Sequence, residues 1–144
     1  MDLNKELSQS NLLSYRGKLS QAEITQKMME IVKYLQNRQI SFCGDVITVT
    51  YGLEADKYDI EILIPLKEQV ELPEYHFKSR LLITNAVYQK VERAEELTNI
   101  LENLDKKIRE KGLNPITGYY VYQKNVGKSN MEIEIYVGIN PNIM

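Results

Sequence analysis

Four acidic residues, Asp59, Glu61, Glu132 and Glu134, together with Tyr136, are the side chains whose types and spacing best suit chemistry. They lie in two similar stretches, Lys57–Leu66 (KYDIEILIPL) and Asn130–Ile139 (NMEIEIYVGI), 73 positions apart. Apolar residues alternate with polar ones in both. Tyr58, Ile60, Ile62 and Ile64 form one face of the first stretch, and Met131, Ile133, Ile135 and Val137 the matching face of the second, which is the period-two pattern of a half-buried strand. The opposite faces carry Asp59, Glu61 and Leu63, and Glu132, Glu134 and Tyr136. A carboxylate held among tyrosine rings can pair with a cation while the rings attract it through their π faces. Such a site favours lipophilic organic cations, whose dehydration costs far less than that of a small ammonium. The same residues would also suit a solvated sheet face, so Glu61 and Glu134 line either a pocket or a wet surface.

The elements that must position these acids follow from the rest of the pattern. After a polar lead-in over Met1–Leu7, Asn11–Arg16 reads as a first short strand. Ser20 with Glu23 forms a capping box, and Ile24, Met28, Ile31, Val32 and Leu35 follow at helical spacing, so a helix is expected over Ser20–Gln39. Gly44–Tyr51 reads as a strand, Gly52–Asp56 as a turn and Lys57–Leu66 as the hairpin partner. A charged connector bounded by prolines, Lys67–Pro73, is the best linker. The order then repeats, with a strand over Phe77–Val91, a helix over Arg93–Lys111 and strands over Tyr119–Lys124 and Met131–Ile139 around a turn at Asn125–Asn130. Leu97, Leu101, Leu104 and Ile108 form the second helical stripe. The cations of KKIREK complement that helix's negative end.

Ser14–Leu66 can be laid over Val87–Ile139 without a gap, bringing Tyr15 onto Tyr88, Met28 onto Leu101, Leu35 onto Ile108 and Glu61 onto Glu134. The fold class expected is therefore α+β. It consists of duplicated βαββ units, about residues 11–66 and 77–139 joined by 67–76, related by a pseudo-twofold within one domain spanning 1–144. An antiparallel sheet would carry both helices on one side and a ligand cleft on the other, at the seam of the halves. Tyr136 shares the face of Glu134 by spacing, with Tyr119, Tyr88 and Tyr15 as further candidates. Tyr120 and Tyr122 align with Ile47 and Val49 and are expected against the helices.

Composition narrows the function classes. A net charge of −2 without a basic stripe argues against nucleic acid binding by the chain itself. No window approaches a membrane span and no signal peptide opens the sequence, so a cytoplasmic protein is expected. Cys43 and His76 are each alone, too few to build a metal centre or a nucleophile–histidine pair in the usual way, and no glycine-rich phosphate loop exists. No metal or cofactor is expected.

The duplicated βαββ order, the PLK ending of the first half (Pro65–Lys67) and the EIYVGI ending of the second (Glu134–Ile139) resemble the GyrI-like small-molecule-binding domain, also found as the effector domain of AraC- and BmrR-type regulators. The resemblance covers roughly Asn11–Ile139. It implies eight-stranded curvature, and an acidic residue on the last strand that meets cationic ligands in the cleft; that position falls on Glu134, with Glu61 as its counterpart. Two departures are Gly138, where the family usually has proline, and Glu92-Arg93-Ala94 in place of a Gly-Pro-Tyr turn. With no helix-turn-helix in the sequence, the resemblance implies a stand-alone effector-type domain.

The reading favoured is a small-molecule-binding domain for a cationic or aromatic amphipathic ligand. A catalytic role is the lesser alternative, in which Glu134 and a tyrosine hydrolyse an electrophile. The remaining alternative is a regulatory module that binds a protein partner.

Overall fold

A computed structural model describes residues 1–42, 45–91, 97–124 and 132–140. Its elements are β1 (Asp2–Leu19), α1 (Gln21–Asn37), β2 (Val46–Glu54), β3 (Lys57–Pro65), β4 (His76–Val91), α2 (Leu97–Glu110), β5 (Pro115–Lys124) and β6 (Glu132–Ile139). The order is therefore strand, helix, strand, strand, twice over. Each of the six strands pairs antiparallel with its neighbours in the order β1-β3-β2-β5-β6-β4, and β4 returns to β1, so the sheet closes into a barrel. The architecture is α+β and antiparallel, as expected, but the open sheet and its eight-stranded curvature are corrected: six described strands form a closed wall with no free edge.

Local chemistry sets the element ends. Ser20 is the N-cap of α1; its hydroxyl accepts from the Glu23 amide at 3.3 Å, and the Glu23 carboxylate accepts from the Ser20 amide at 2.9 Å. Gln39 and Gly112, just beyond the two helices, both take positive φ, at 55° and 74°. The amides that follow, of Ile40 and Leu113, donate to Leu35 and Ile108 carbonyls at 2.9 and 3.1 Å. Between β2 and β3 the turn is only Ala55-Asp56, both at positive φ, as a tight hairpin requires. The wider turn expected over Gly52–Asp56 is thus two residues, because Gly52, Leu53 and Glu54 continue the ladder.

β1 departs furthest from expectation. The stretch read as a polar lead-in is strand from Asp2 onward, paired with β4 from Asp2↔Tyr88 to Ser14↔His76 with register shifts around Lys5. The second helix is described from Leu97; residues 92–96, Cys43 and the turn at 125–130 lie outside the described residues.

Three apolar clusters show which side of the wall is which. Ile31 and Leu35 of α1 pack with Leu13, Val46, Ile62 and Ile64, and Leu104 and Ile108 of α2 pack with Val87, Val121, Ile133, Ile135 and Val137. The other cluster contains strand residues only, among them Leu7, Leu12, Ile47, Val49, Leu63, Ile83, Ala86 and Tyr122. Both helices therefore lie on the outer side of the wall, and the strand-only cluster lines the inner side. Leu35 and Ile108 are each fully buried under their strands, and truncating either to alanine should cost about 2–5 kcal/mol.

The strand register also corrects the gapless match of Tyr15 with Tyr88. Tyr15 pairs with Ile62, whereas Ile135, the residue matching Ile62, pairs with Gln89, and Tyr88 pairs with Tyr136. A slip of one residue turns a side chain to the other face. Tyr15 and Tyr88 consequently point to opposite sides of the wall.

Candidate functional site

Residues paired across neighbouring strands share a face, so the ladders can be followed around the barrel. One inner circuit runs Arg16, Glu61, Val49, Tyr120, Tyr136, Tyr88; the next runs Ser14, Leu63, Ile47, Tyr122, Glu134, Lys90. Glu61 on β3 and Glu134 on β6 thus face inward from strands opposite one another in the six-stranded order. Both are buried, at 4% and 9% exposure, which a solvated sheet face would not give.

Glu61 is held by three donors. The Ser14 hydroxyl donates to Oε2 at 2.6 Å, the Tyr51 hydroxyl to Oε1 at 2.7 Å, and the Lys78 ammonium to Oε2 at 2.5 Å. Burial pushes the Glu61 carboxyl up, but the hydrogen bonds from Lys78, Ser14 and Tyr51 and the charge of Lys78 outweigh it and leave the carboxyl below its ordinary value. Tyr51 is driven far upward, first by burial and then by the hydrogen bond and charge of Glu61, so it is a protonated donor at neutral pH. The Arg16 guanidinium lies 4.0 Å from the centre of the Tyr51 ring and pairs with Asp59 through two hydrogen bonds, at 3.0 and 3.2 Å.

The Glu134 side is aromatic. Tyr88 and Tyr136 have ring centres 5.1 Å apart at an interplanar angle of 54°. Burial, then the charge of Glu134 and a hydrogen bond to it, push the Tyr88 phenol up to about 12. Tyr120 and Tyr136 pack against the inner cluster, and Gln9 Nε2 donates to the Tyr122 hydroxyl at 2.7 Å. Gly138, on the same strand, is a place of close approach. A Cβ there would meet Thr117 Cγ2 at 2.7 Å, and the Gly138 amide donates to Thr117 Oγ1 at 2.8 Å. Proline at this position would lose that hydrogen bond.

The structure therefore brings together four of the six residues singled out in the sequence, Glu61, Glu134, Tyr136 and Tyr88, on one inner face. It does not bring Tyr119 or Tyr15. Tyr119 turns outward and donates to Asp105 of α2 at 2.7 Å; Tyr15 packs beneath α1, edge-on to Tyr75 at 6.3 Å with Lys27 Nζ 4.9 Å from its ring centre. Tyr120 and Tyr122 are corrected in the other direction. They do share a face with Ile47 and Val49, but it is the inner face, because a closed barrel is apolar inside as well as under its helices. Lys78, Tyr51 and Ser14 were missed. Tyr51 could have been found by counting two residues on from Val49, whereas Lys78 reaches Glu61 past β1 and leaves no local signal.

On the outer side, a groove beside α1 is lined by Met28, Met29, Val32, Lys33, Gln36 and Val46. Glu30 also lines it, but neither Glu61, Glu134 nor the inner tyrosines do. Among the described residues no group of three or more His, Cys, Asp or Glu could hold a metal ion, and no helix is long and apolar enough to cross a membrane.

No family model and no curated protein matches the sequence. Solved structures do match by fold. The chain is similar to the crystal structure of the EcmrR C-terminal domain, with a TM-score of 0.72 at 13% identity, covering 94% of each chain. It is also similar to EcmrR in the cryo-EM structure of an EcmrR–DNA complex, with a TM-score of 0.74 at 13% identity. That match covers 94% of this chain and 56% of the EcmrR chain, so the present chain spans a little over half of it. At this identity the likeness is one of fold, and the fold is the one that EcmrR carries as its C-terminal domain.

Proposed function

We propose that this chain is an effector-binding module of the GyrI-like and BmrR type, taking an amphipathic or cationic organic molecule against the inner face of its barrel. The observation that carries the reading is the burial of Glu61 and Glu134 on strands opposite one another, each with tyrosine beside it. Burying a carboxylate is costly unless a partner offsets it. On the Glu134 side, where Tyr88 already hydrogen-bonds the carboxylate, a ligand cation would meet that charge together with the ring faces of Tyr88 and Tyr136. The likeness to EcmrR supports a regulatory setting, since that protein is seen on DNA.

In this reading the domain is two copies of one βαββ unit related by a pseudo-twofold. Two ladders support it. β2 and β5 pair symmetrically about Thr48↔Val121, and β1 and β4 about Ser8↔Leu82, with Leu7↔Ile83 and Gln9↔Leu81 on either side. The first copy carries one more residue than the second between its first strand and its helix, so that Ser14 and Tyr88 occupy matching positions and each donates to the acid of its own half.

Isothermal titration with tetraphenylphosphonium tests the reading. Wild type should bind, and Glu134→Gln should weaken binding tenfold or more, because the neutral amide keeps the shape but removes the charge. Equal binding by both proteins, or none by wild type, counts against a cation site at Glu134.

A further inference from the structure

We propose that the Lys78 ammonium is a resident stand-in for a ligand cation at Glu61. A ligand bearing a primary ammonium on a slim apolar stem would then bind at this end by exchanging its ammonium for that of Lys78. The inference rests on the inner face being a cation site. It adds a second subsite there, the chemical class of its ligand, and the competitor that occupies it.

The geometry of the pair points to exchange. The Glu61 side chain is 5% exposed while that of Lys78 is 46% exposed, so only the anion is buried and the cation reaches it from the solvent side. Lys78 touches one oxygen, Oε2, which also accepts from Ser14, while Tyr51 donates to Oε1. When the ammonium leaves, the Ser14 and Tyr51 hydroxyls still donate to the carboxylate that the incoming cation meets. The stretch of β4 that carries Lys78, from Lys78 to Arg80, is exposed, so a departing ammonium meets solvent. Arg16, a further cation close to this end, is committed to Asp59 and to the Tyr51 ring. Replacing one ammonium by another leaves the charge of the site unchanged. A resident occupant lowers apparent affinity by the fraction of time that it fills the seat.

The test uses 4-phenylbutylammonium at pH 8, well above the ordinary carboxylate range. Lys78→Met should bind the probe at least tenfold tighter than wild type, Lys78→Arg should stay within threefold of wild type, and adding Glu61→Gln to Lys78→Met should remove the gain. No gain in Lys78→Met, or a gain that survives Glu61→Gln, overturns the proposal. Lys78→Gln serves as a second variant that also removes the charge. Should thermal melts show that neither it nor Lys78→Met folds, the pair is a structural brace and the proposal falls. Loss of tetraphenylphosphonium binding in wild type alone would sink the Glu134 reading while the Lys78 comparison still stands or falls by itself.

Discussion

At the scale of single residues, the decisive feature is how Glu61 remains charged while buried. Like charges drawn together raise each other's pKa unless a cation or hydrogen-bond donor intervenes. For Glu61 the intervening groups are Lys78, Ser14 and Tyr51, and its carboxyl lies below the ordinary 4.5. A lowered folded-state value means that the stabilisation is fully present above about pH 4.5 and is lost as pH falls through the folded value. Comparing urea midpoints of wild type and Glu61→Gln should give wild type an advantage of about 1–3 kcal/mol at pH 7, fading below pH 4.5. A difference that is constant or grows in acid would contradict it. That Glu61 lies on the face opposite Ile60 and Ile62 was legible from their alternation, but that this face turns inward and is buried was not. Its partner was not, because Lys78 sits on a strand whose phase the sequence left open and acts past an intervening strand.

Among the elements, the helix ends were the most legible parts. Ser20 and Glu23 declare a capping box in sequence and form one in the structure, so Ser20→Ala should cost about 1 kcal/mol in urea unfolding. The C-terminal ends give a sharper comparison, because Gln39 and Gly112 hold the same left-handed position with different side chains. Gln39→Gly should stabilise by about 0.5–1 kcal/mol, and Gly112→Ala should destabilise by a similar amount. Opposite signs are the expected result, and equal signs would mean that the two ends are not alike. The first half of β1 was illegible for a physical reason. Asp2–Ser10 is mostly polar and exposed, and it becomes strand only by pairing with β4, 70 or more positions away. No local propensity records such a contact.

For the whole molecule, closure of the sheet changed what an apolar face means. On an open sheet, Ile47 and Val49 would mark the helix side, and Tyr120 and Tyr122 would follow them there. In the barrel, Val46 and Thr48 face outward while Ile47 and Val49 face inward, and all four are buried. Alternation could separate the two faces of β2 but could not say which one meets the helices. The same closure sets Glu61 and Glu134 opposite each other and gathers Tyr51, Tyr88, Tyr120 and Tyr136 on the face between them. The most direct measurement of the central claim is a crystal structure with tetraphenylphosphonium bound. The account predicts the cation on the inner face, with phenyl groups against Tyr88 and Tyr136 and its charge within about 6 Å of those ring centres. A cation lodged instead in the groove beside Met28, Met29 and Val32 of α1, with the inner face unchanged, would contradict it.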